Sequence, residues 1–271
     1  MPTQLLIYKT AVPISRARHG DWSLDTGPNY AFSREVNSVP LMAVEFPQAA
    51  SEYAIVFAGG EEEVLPAVIL GVRENENLFL DKDSHWSADY VPAFMRRYPF
   101  VFSRQGDRFL LCVDEEFPGF NQEGRGRKLF QEDGKPTEYV DNVLKFLQEY
   151  QAQFLRTQRF CARIKELDLL EPMQAQVTVE TGQRLSLGGF MAINREKVKA
   201  LSGEKLAELA RTDELELLYL HIQSMRNFEG LKDRIENALS EKAEPVAEPQ
   251  PAEADAAGSS AGGAETLAVV H

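Results

Sequence analysis

The chain has 271 residues, of which 44% are hydrophobic, 10% aromatic and 26% charged, proportions that fit a globular protein and exclude a fibrous or wholly disordered one. Lys and Arg total 29 against 42 Asp and Glu, which gives a formal net charge of −13 at pH 7. This acidic balance argues against a nucleic-acid-binding surface over the whole molecule, so we expect no nucleic-acid partner.

No apolar run is long enough to suggest a helix that crosses a bilayer, which takes about 18 or more apolar residues. The longest apolar run before Tyr8 is the three residues Leu5–Ile7, well short of the run of about 7–15 in a secretory signal. We therefore expect a protein that does not span a membrane and, since no signal peptide is visible, a cytoplasmic location.

The sequence contains two cysteines, Cys112 and Cys161, too few for a disulfide framework or a thiolate metal cluster. Neither belongs to a Cys-x-x-Cys motif, so both are expected to be small buried packing residues. We expect no cofactor and no metal.

Short β-prone runs separated by Gly, Asn, Asp and Pro recur along the chain, a pattern typical of antiparallel sheet. The predicted strands are Leu41–Phe46, Tyr53–Phe57, Ala67–Leu70, Leu78–Leu80, Phe100–Phe102, Phe109–Val113, Ala175–Glu180 and Arg184–Asn194. The polar stretches 73–77 and 104–107 predict two hairpins. Gly188-Gly189 indicates a bulge or a close backbone approach.

Two amphipathic helices are predicted in the second half of the chain. Apolar residues fall mostly three or four apart over 137–168, as one buried helix face requires. A second helix is predicted over 213–238, with Asp213 and Glu216 as its N-terminal cap. Strands first and helices later favour an α+β fold, here one domain over 1–240 with a mainly antiparallel sheet packed on these helices.

Residues 241–271 differ in composition from the rest. They hold nine Ala, three Pro, three Gly, two Ser, six acidic residues, one Lys and no aromatic residue. Such a segment cannot bury enough apolar surface to offset the entropy of ordering its backbone, so it is predicted to be a disordered acidic tail.

The residue pattern resembles the bacterial SapC family of the surface-layer-associated type over nearly all of residues 5–235. The residues that carry the resemblance are Pro40-Leu41, Glu45-Phe46, Tyr53-x-Ile55-Val56-Phe57, Pro66 to Gly71, Asn77-Leu78-Phe79, Trp86-x-x-x-Tyr90-Val91-Pro92-Ala93-x-x-Arg96-Arg97-Tyr98-Pro99-Phe100, Asp114-Glu115, Gly189-Phe190, Ile193-Asn194 and His221-x-x-Ser224-x-x-Asn227-Phe228-x-x-Leu231.

The resemblance implies a link to the paracrystalline protein layer of some bacterial surfaces, and it brings no catalytic residues with it. A peptide-transporter permease subunit has the same name, but a chain without a spanning helix is not expected to be that protein. The missing signal peptide conflicts with a surface role, which would need a dedicated export route or a contribution from inside the cell.

The segment 83–98 is the best candidate for a ligand-binding surface, because it gathers an imidazole, aromatic rings and two guanidinium groups in a short span. The candidate binding residues are His85, Trp86, Tyr90, Arg96, Arg97 and Tyr98. Arginine pairs with carboxylates and stacks on aromatic rings, so the mixture suits a peptide or a small acidic ligand. The alternative is a packing role, in which Arg96 or Arg97 holds a buried carboxylate such as Glu45 or Asp114.

Two other patterns are weaker. His19-Gly20-Asp21 has the spacing of a two-histidine, one-carboxylate iron site, with His85 or His221 as the distant ligand. The stretch precedes every predicted strand, so an exposed loop is the better explanation. His221, Ser224 and Asn227 share one helix side and are better explained by a core hydrogen-bond network than by a catalytic triad.

Two loops complete the candidates. The basic loop 124–128 has amides that could hold an anion, yet it lacks the ending of a phosphate loop. Glu61-Glu62-Glu63 indicates a solvated turn rather than paired catalytic acids.

Two hypotheses for function remain. The first is a non-catalytic accessory or binding protein with a protein or peptide partner, supporting surface-layer or envelope biology; it rests mainly on the resemblance. The second is a small-molecule or peptide-modifying enzyme that uses the 83–98 segment as substrate pocket, with or without iron at His19 and Asp21. The sequence leaves the oligomeric state open.

Overall fold

The computed structural model describes residues 5–60, 63–106, 108–180 and 182–243. Its strands are β1 Ala11–Pro13, β2 Ser23–Leu24, β3 Ser38–Pro40, β4 Ile55–Gly59, β5 Val64–Ile69, β6 Phe100–Gln105, β7 Arg108–Asp114, β8 Phe120–Asn121, β9 Arg127–Lys128, β10 Leu170–Thr178 and β11 Arg184–Ile193. Its helices are α1 Arg16–His19, α2 Phe46–Ala49, α3 Ala93–Arg96, α4 Glu138–Glu166, α5 Arg195–Lys199, α6 Gly203–Arg211, α7 Glu214–Ser224 and α8 Asn227–Ala243.

The strands form three antiparallel sheets. The largest has five strands in the order β10-β11-β4-β5-β3, a second has the order β1-β7-β6, and a third joins the short strands β8-β2-β9. Every pairing between these strands is antiparallel. The α+β fold class is therefore confirmed, although the strands divide into several sheets.

The main core forms where β4 and β5 meet the helices α4 and α7. Ile55, Phe57 and Val68 in these strands are completely buried. Because both faces of the strands are covered, their sequences are nearly continuous apolar runs rather than alternating ones.

Helix α4 is the amphipathic helix predicted over 137–168, and its observed bounds confirm that prediction. Val140 and Leu147 in its first half pack with Phe100 and Val113 of the β1-β7-β6 sheet. Phe160 and other residues of its second half belong to the main core. Because α4 connects both clusters, its first turns lie at the edge of the main core.

Two of the predicted strands are wrong. Leu41–Phe46 forms a 3-10 turn at Ala43–Glu45 followed by α2, and the strand of this region is β3. Leu78–Leu80 is a loop that makes an isolated bridge between Leu80 and Trp86. The hairpin predicted at 73–77 therefore has no second strand.

The hairpin predicted at 104–107 does connect β6 to β7. The strand pair predicted after Ala175 is also present as β10 and β11. Their register shifts between Met173 and Ala175, opposite Gly188-Gly189. Gly189 has φ of +80°, so the predicted bulge is confirmed.

The helix predicted over 213–238 is broken into α7 and α8 by a turn after Ser224. Asp213 does not cap it, since this residue has φ of +60° and its side chain makes no capping hydrogen bond. Helix α6, which precedes it, was not predicted. The predicted tail 241–271 lies outside the described residues except where α8 continues to Ala243.

Both cysteines are buried, as predicted for packing residues. Burial raises the pKa of the Cys161 thiol to about 12 and also raises the pKa of Cys112. A thiol with a raised pKa carries little thiolate at neutral pH and is a poor nucleophile.

Candidate functional site

A cleft of about 460 Å³ opens beside the first turns of α4. Its walls come from segment 26–32, from residues 95–100 at the end of α3 and the start of β6, from β9, and from α4. Three arginines line it, Arg96, Arg97 and Arg127, and among the described lining residues none is Asp or Glu. An acidic protein thus contains a concave site lined by cations without carboxylates.

Arg97 is fixed deep in this region, with 3% of the residue exposed. Its guanidinium carbon lies 4.3 Å from the ring centre of Phe94, 4.9 Å from that of Tyr150 and 5.6 Å from that of Tyr8. Burial raises the pKa of Tyr150 to about 12 and also raises the pKa of Tyr8. Both phenols are therefore neutral, and the aromatic faces stabilise the cation.

Arg96 is exposed at the mouth of the cleft, but it is oriented by its neighbours. Its Nε donates a hydrogen bond to the Val91 carbonyl oxygen at 2.9 Å. The guanidinium carbon lies 5.6 Å from the ring centres of both Tyr90 and Phe146. An arginine held in this way loses less side-chain entropy when it binds a carboxylate.

Arg127, in β9, provides the second exposed cation of the cleft. Its guanidinium carbon lies 5.3 Å from the ring centre of Tyr139, at the start of α4. Burial raises the pKa of Tyr139 to about 12, so its hydroxyl stays protonated. The amides of Asn29 and Asn142 also line the cleft and can donate hydrogen bonds.

A second cleft of about 390 Å³ adjoins the first and shares Phe32 and Tyr98 with it. Their rings stack with centres 4.2 Å apart. Lys9 and Arg125 line this neighbour together with acidic residues, so its charge is mixed. The two clefts together offer room for an extended ligand that crosses the aromatic pair.

The six residues predicted from the 83–98 segment are only partly brought together. Arg96, Arg97 and Tyr98 line the cleft, whereas Tyr90 supports Arg96 from the side. Trp86 lies behind the wall, where its Nε1 donates to the Tyr53 hydroxyl at 2.8 Å and its ring centre is 5.5 Å from that of Tyr30.

His85 is exposed on a loop, with Nδ1 3.3 Å from an oxygen of Asp81. With Asp83 these two residues form the one group of three potential metal ligands found in the described parts of the chain, with ligand atoms within 4.8 Å of one another.

The buried carboxylates Glu45 and Asp114 are held by tyrosines and by backbone groups. The Tyr90 hydroxyl donates to Glu45 Oε1 at 2.7 Å, and the Tyr98 hydroxyl donates to Asp114 Oδ2 at 3.1 Å. Burial first, and then these carboxylates, raise the pKa of both tyrosines. Both hydroxyls therefore act as hydrogen-bond donors that fix the cleft wall.

The sequence did not single out Asn29, Tyr30, Tyr139 or Asn142. These residues come from segments far apart in the chain, and no local spacing connects them. The one available signal was the basic loop 124–128, which contains Arg127. The sequence suggested that the amides of this loop hold an anion. In the structure it is the Arg127 residue of the loop that lines the cleft.

His19 and Asp21 do not form the iron site considered from the sequence. His19 is completely buried, and its Nε2 lies 2.9 Å from Glu115 Oε1 while Nδ1 accepts from the Ser15 N–H at 3.1 Å. Both ring nitrogens are thus engaged, whereas Asp21 is exposed. His19 instead connects α1 to the end of the β7 region.

His221, Ser224 and Asn227 form the predicted core network. Ser224 Oγ accepts from the Ile55 N–H at 3.1 Å and donates to the His221 carbonyl at 2.7 Å. Asn227 donates to the carbonyls of Ala50 and Tyr53, both at 2.9 Å. These groups join the α7–α8 turn to β4, and they leave the hydroxyl of Ser224 without a catalytic base.

The SapC family model matches residues 14–231 of the chain. The chain belongs to the SapC family. The matched region contains every described element from α1 to α7, the arginine-lined cleft and the core network. No curated protein and no solved structure matches this SapC chain. Within the described residues of the SapC chain, no helix is long and apolar enough to cross a bilayer.

Proposed function

We propose that this SapC chain is a non-catalytic accessory protein that binds an acidic segment of a protein or peptide partner in the arginine-lined cleft. The observation that supports the proposal most strongly is the set of Arg96, Arg97 and Arg127 in a cleft whose described lining contains no carboxylate. The chain as a whole has a net charge of −13, so a cationic cleft is not a consequence of its composition.

The chemistry of the lining favours a carboxylate on a peptide. Arg96 and Arg127 each present a planar fork of donors that pairs with a carboxylate in bidentate fashion. The neutral hydroxyl of Tyr139 and the amide of Asn142 add donors near them. Aromatic walls between the cations provide apolar contact for the side chains of an extended partner.

The biological setting of the proposal comes from the family. We infer that the partner belongs to surface-layer or envelope biology, as the surface-layer-associated type of SapC implies. A cytoplasmic chain could bind such a partner before its export. Deletion of the coding sequence in a source bacterium that builds a surface layer should then reduce the amount of assembled layer, and an unchanged layer would contradict this setting.

An array of ten-residue acidic, neutral and basic peptides, each labelled with fluorescein, tests the binding activity by anisotropy. We expect acidic peptides to bind best. Combined Arg96→Ala and Arg127→Ala should weaken that binding at least about tenfold, which corresponds to 1.4 kcal/mol. The matched control is combined Arg184→Ala and Arg211→Ala, two exposed arginines outside the cleft. Equal loss in both double variants, or no preference for acidic peptides, would overturn the proposal.

A further inference from the structure

The segment 244–255 of the chain has the composition that the arginine-lined cleft is suited to bind. It reads Glu-Pro-Val-Ala-Glu-Pro-Gln-Pro-Ala-Glu-Ala-Asp, with four carboxylates, three prolines and no Lys or Arg. We propose that this segment occupies the cleft within the same molecule, so that an external acidic partner must displace it. The inference rests on the proposed function and identifies a regulator of the same site.

Charge is the first match between segment and cleft. Arg96 and Arg127 are exposed cations on the cleft wall, and no acidic side chain among the described lining residues neutralises them there. The carboxylates of Glu253 and Asp255, in the part of the segment that lies furthest from α8, would supply the missing counter-charges. Charge-assisted hydrogen bonds of this kind are about twice as strong as neutral ones.

Proline is the second match, and it is independent of charge. Prolines fix the backbone φ angle and favour an extended left-handed helix, which binds in aromatic-lined grooves with little loss of entropy. The cleft is lined by the rings of Tyr30, Phe32, Tyr98 and Tyr139, among others. The stacked pair Phe32 and Tyr98 forms a flat aromatic face of the type that proline rings contact.

The segment can reach the cleft from the end of α8. The guanidinium carbon of Arg234 in α8 lies 4.0 Å from the ring centre of Phe79. The ring centres of Phe79 and Trp86 are 6.3 Å apart, and those of Trp86 and Tyr30, on the cleft wall, are 5.5 Å apart. The nine residues of α8 after Arg234 rise about 14 Å. With about 7 Å added for the length of the Arg234 side chain, the path is at most about 37 Å, which is the span of twelve residues in an extended left-handed helix.

Connection within one chain makes such binding effective even when the contact is weak. Short linkers give effective concentrations in the millimolar range. If the separate segment binds with a Kd of about 100 μM, an effective concentration of about 1 mM lowers the apparent affinity of a competitor about tenfold. An external partner of higher affinity would still displace the segment.

The test uses the full-length chain and a synthetic fluorescein-labelled peptide with the sequence of residues 244–255. Combined Glu248→Gln, Glu253→Gln and Asp255→Asn should free the cleft and increase the affinity for the added peptide about tenfold. The control, combined Glu204→Gln, Glu229→Gln and Glu265→Gln, removes three acidic charges outside the segment and should leave the affinity unchanged.

Equal affinity of the neutralised variant and the native chain for the peptide would overturn the inference and leave the proposed function standing. Failure of the peptide to bind either protein would instead overturn the proposed function. Equal gains in affinity in the neutralised variant and its control would assign the effect to net charge and also overturn the inference.

A spin label gives a second, direct measurement of occupancy. Ala256→Cys adds one thiol next to the segment, while Cys112 and Cys161 are each only 2% exposed and escape labelling. A nitroxide there should broaden the side-chain amide signals of Asn29 and Asn142 but not those of Asn194. Three results would contradict binding in cis. The broadening could be absent, or it could persist in the combined variant Arg96→Ala and Arg127→Ala. It could also be equally strong when the nitroxide is on one molecule and the observed amides are on another.

Discussion

The Nε2 atom of His221 accepts a hydrogen bond from the Ile193 N–H at 2.9 Å, inside the core where α7 packs on β11. His221 is completely buried, and burial lowers its pKa to about 4. The ring must therefore be neutral in the folded protein, since a protonated Nε2 could not accept from the backbone. This contact couples the stability of the fold to pH.

The stability of the protein should fall between about pH 6.5 and pH 4. The unfolded chain binds a proton on His221 near its ordinary pKa of 6.5, whereas the folded chain does so only near 4. The contribution of neutral His221 to the free energy of unfolding is therefore complete above about pH 7. About 3 kcal/mol of this contribution is lost as the pH falls from 6.5 through the pKa of the folded state. Urea unfolding at a series of pH values measures this dependence.

The variant His221→Gln keeps an acceptor for the Ile193 N–H but does not titrate, so this pH dependence should become flatter. The matched control is His85→Gln, because His85 is exposed and outside the core. An equal pH dependence in native protein and His221→Gln would show that another group causes the acid destabilisation.

Thr157→Val should destabilise the fold by about 1–3 kcal/mol, because it leaves a buried N–H group without its acceptor. Thr157 Oγ1 accepts from the Ala43 N–H at 2.9 Å and connects α4 to the 3-10 turn before α2. Thr212→Val changes an exposed threonine and should cost less than about 0.5 kcal/mol. Urea midpoints that shift equally in both variants would show that the Ala43 contact is not the reason.

Glu45→Gln should also destabilise the protein by about 1–3 kcal/mol. Its carboxylate accepts from Tyr90 and Ala93 at one oxygen, both at 2.7 Å, and from the Met42 N–H at 2.8 Å at the other. A glutamine offers only one acceptor oxygen and points an NH2 group at a donor. Tyr90→Phe removes only one of these contacts, so it should lower the thermal unfolding midpoint less than Glu45→Gln does. A larger decrease for Tyr90→Phe than for Glu45→Gln would contradict this account.

Neither cysteine should react with a disulfide reagent such as DTNB while the protein is folded. Cys112 and Cys161 are buried, and burial raises the pKa of both thiols. Full reaction is expected only in denaturant, whereas an engineered Ser240→Cys, at an exposed position of α8, should react at once in native buffer. Fast titration of either native thiol would contradict the packing at that position.

The elements that the sequence predicted well have a long, regular pattern. Helix α4 has 29 residues, so its apolar face repeats over many turns and fixes the period. The run 41–46 is mostly apolar, but it is short, and periodicity in so short a run cannot distinguish a strand from a helical turn. Strands of two residues, such as β2 and β9, contain no period at all.

The candidate site was only partly predictable for a different reason. The sequence revealed the local cluster that contains Arg96, Arg97 and Tyr98, because those residues are adjacent. Arg127 and Tyr139 reach the same cleft through the packing of β9 and α4, which is a tertiary relationship. Similarly, Trp86 looked like a surface residue for a ligand, yet its hydrogen bond to Tyr53 makes it part of the wall behind the cleft.

The most direct test of the central claim is an NMR titration of the protein labelled with ¹⁵N-arginine, using the best acidic peptide from the array. The Nε–Hε signals of Arg96 and Arg127 should shift with a common Kd, while those of Arg184 and Arg211 stay in place. If the peptide binds and the signals of Arg96 and Arg127 do not move, the arginine-lined cleft is not the site of recognition.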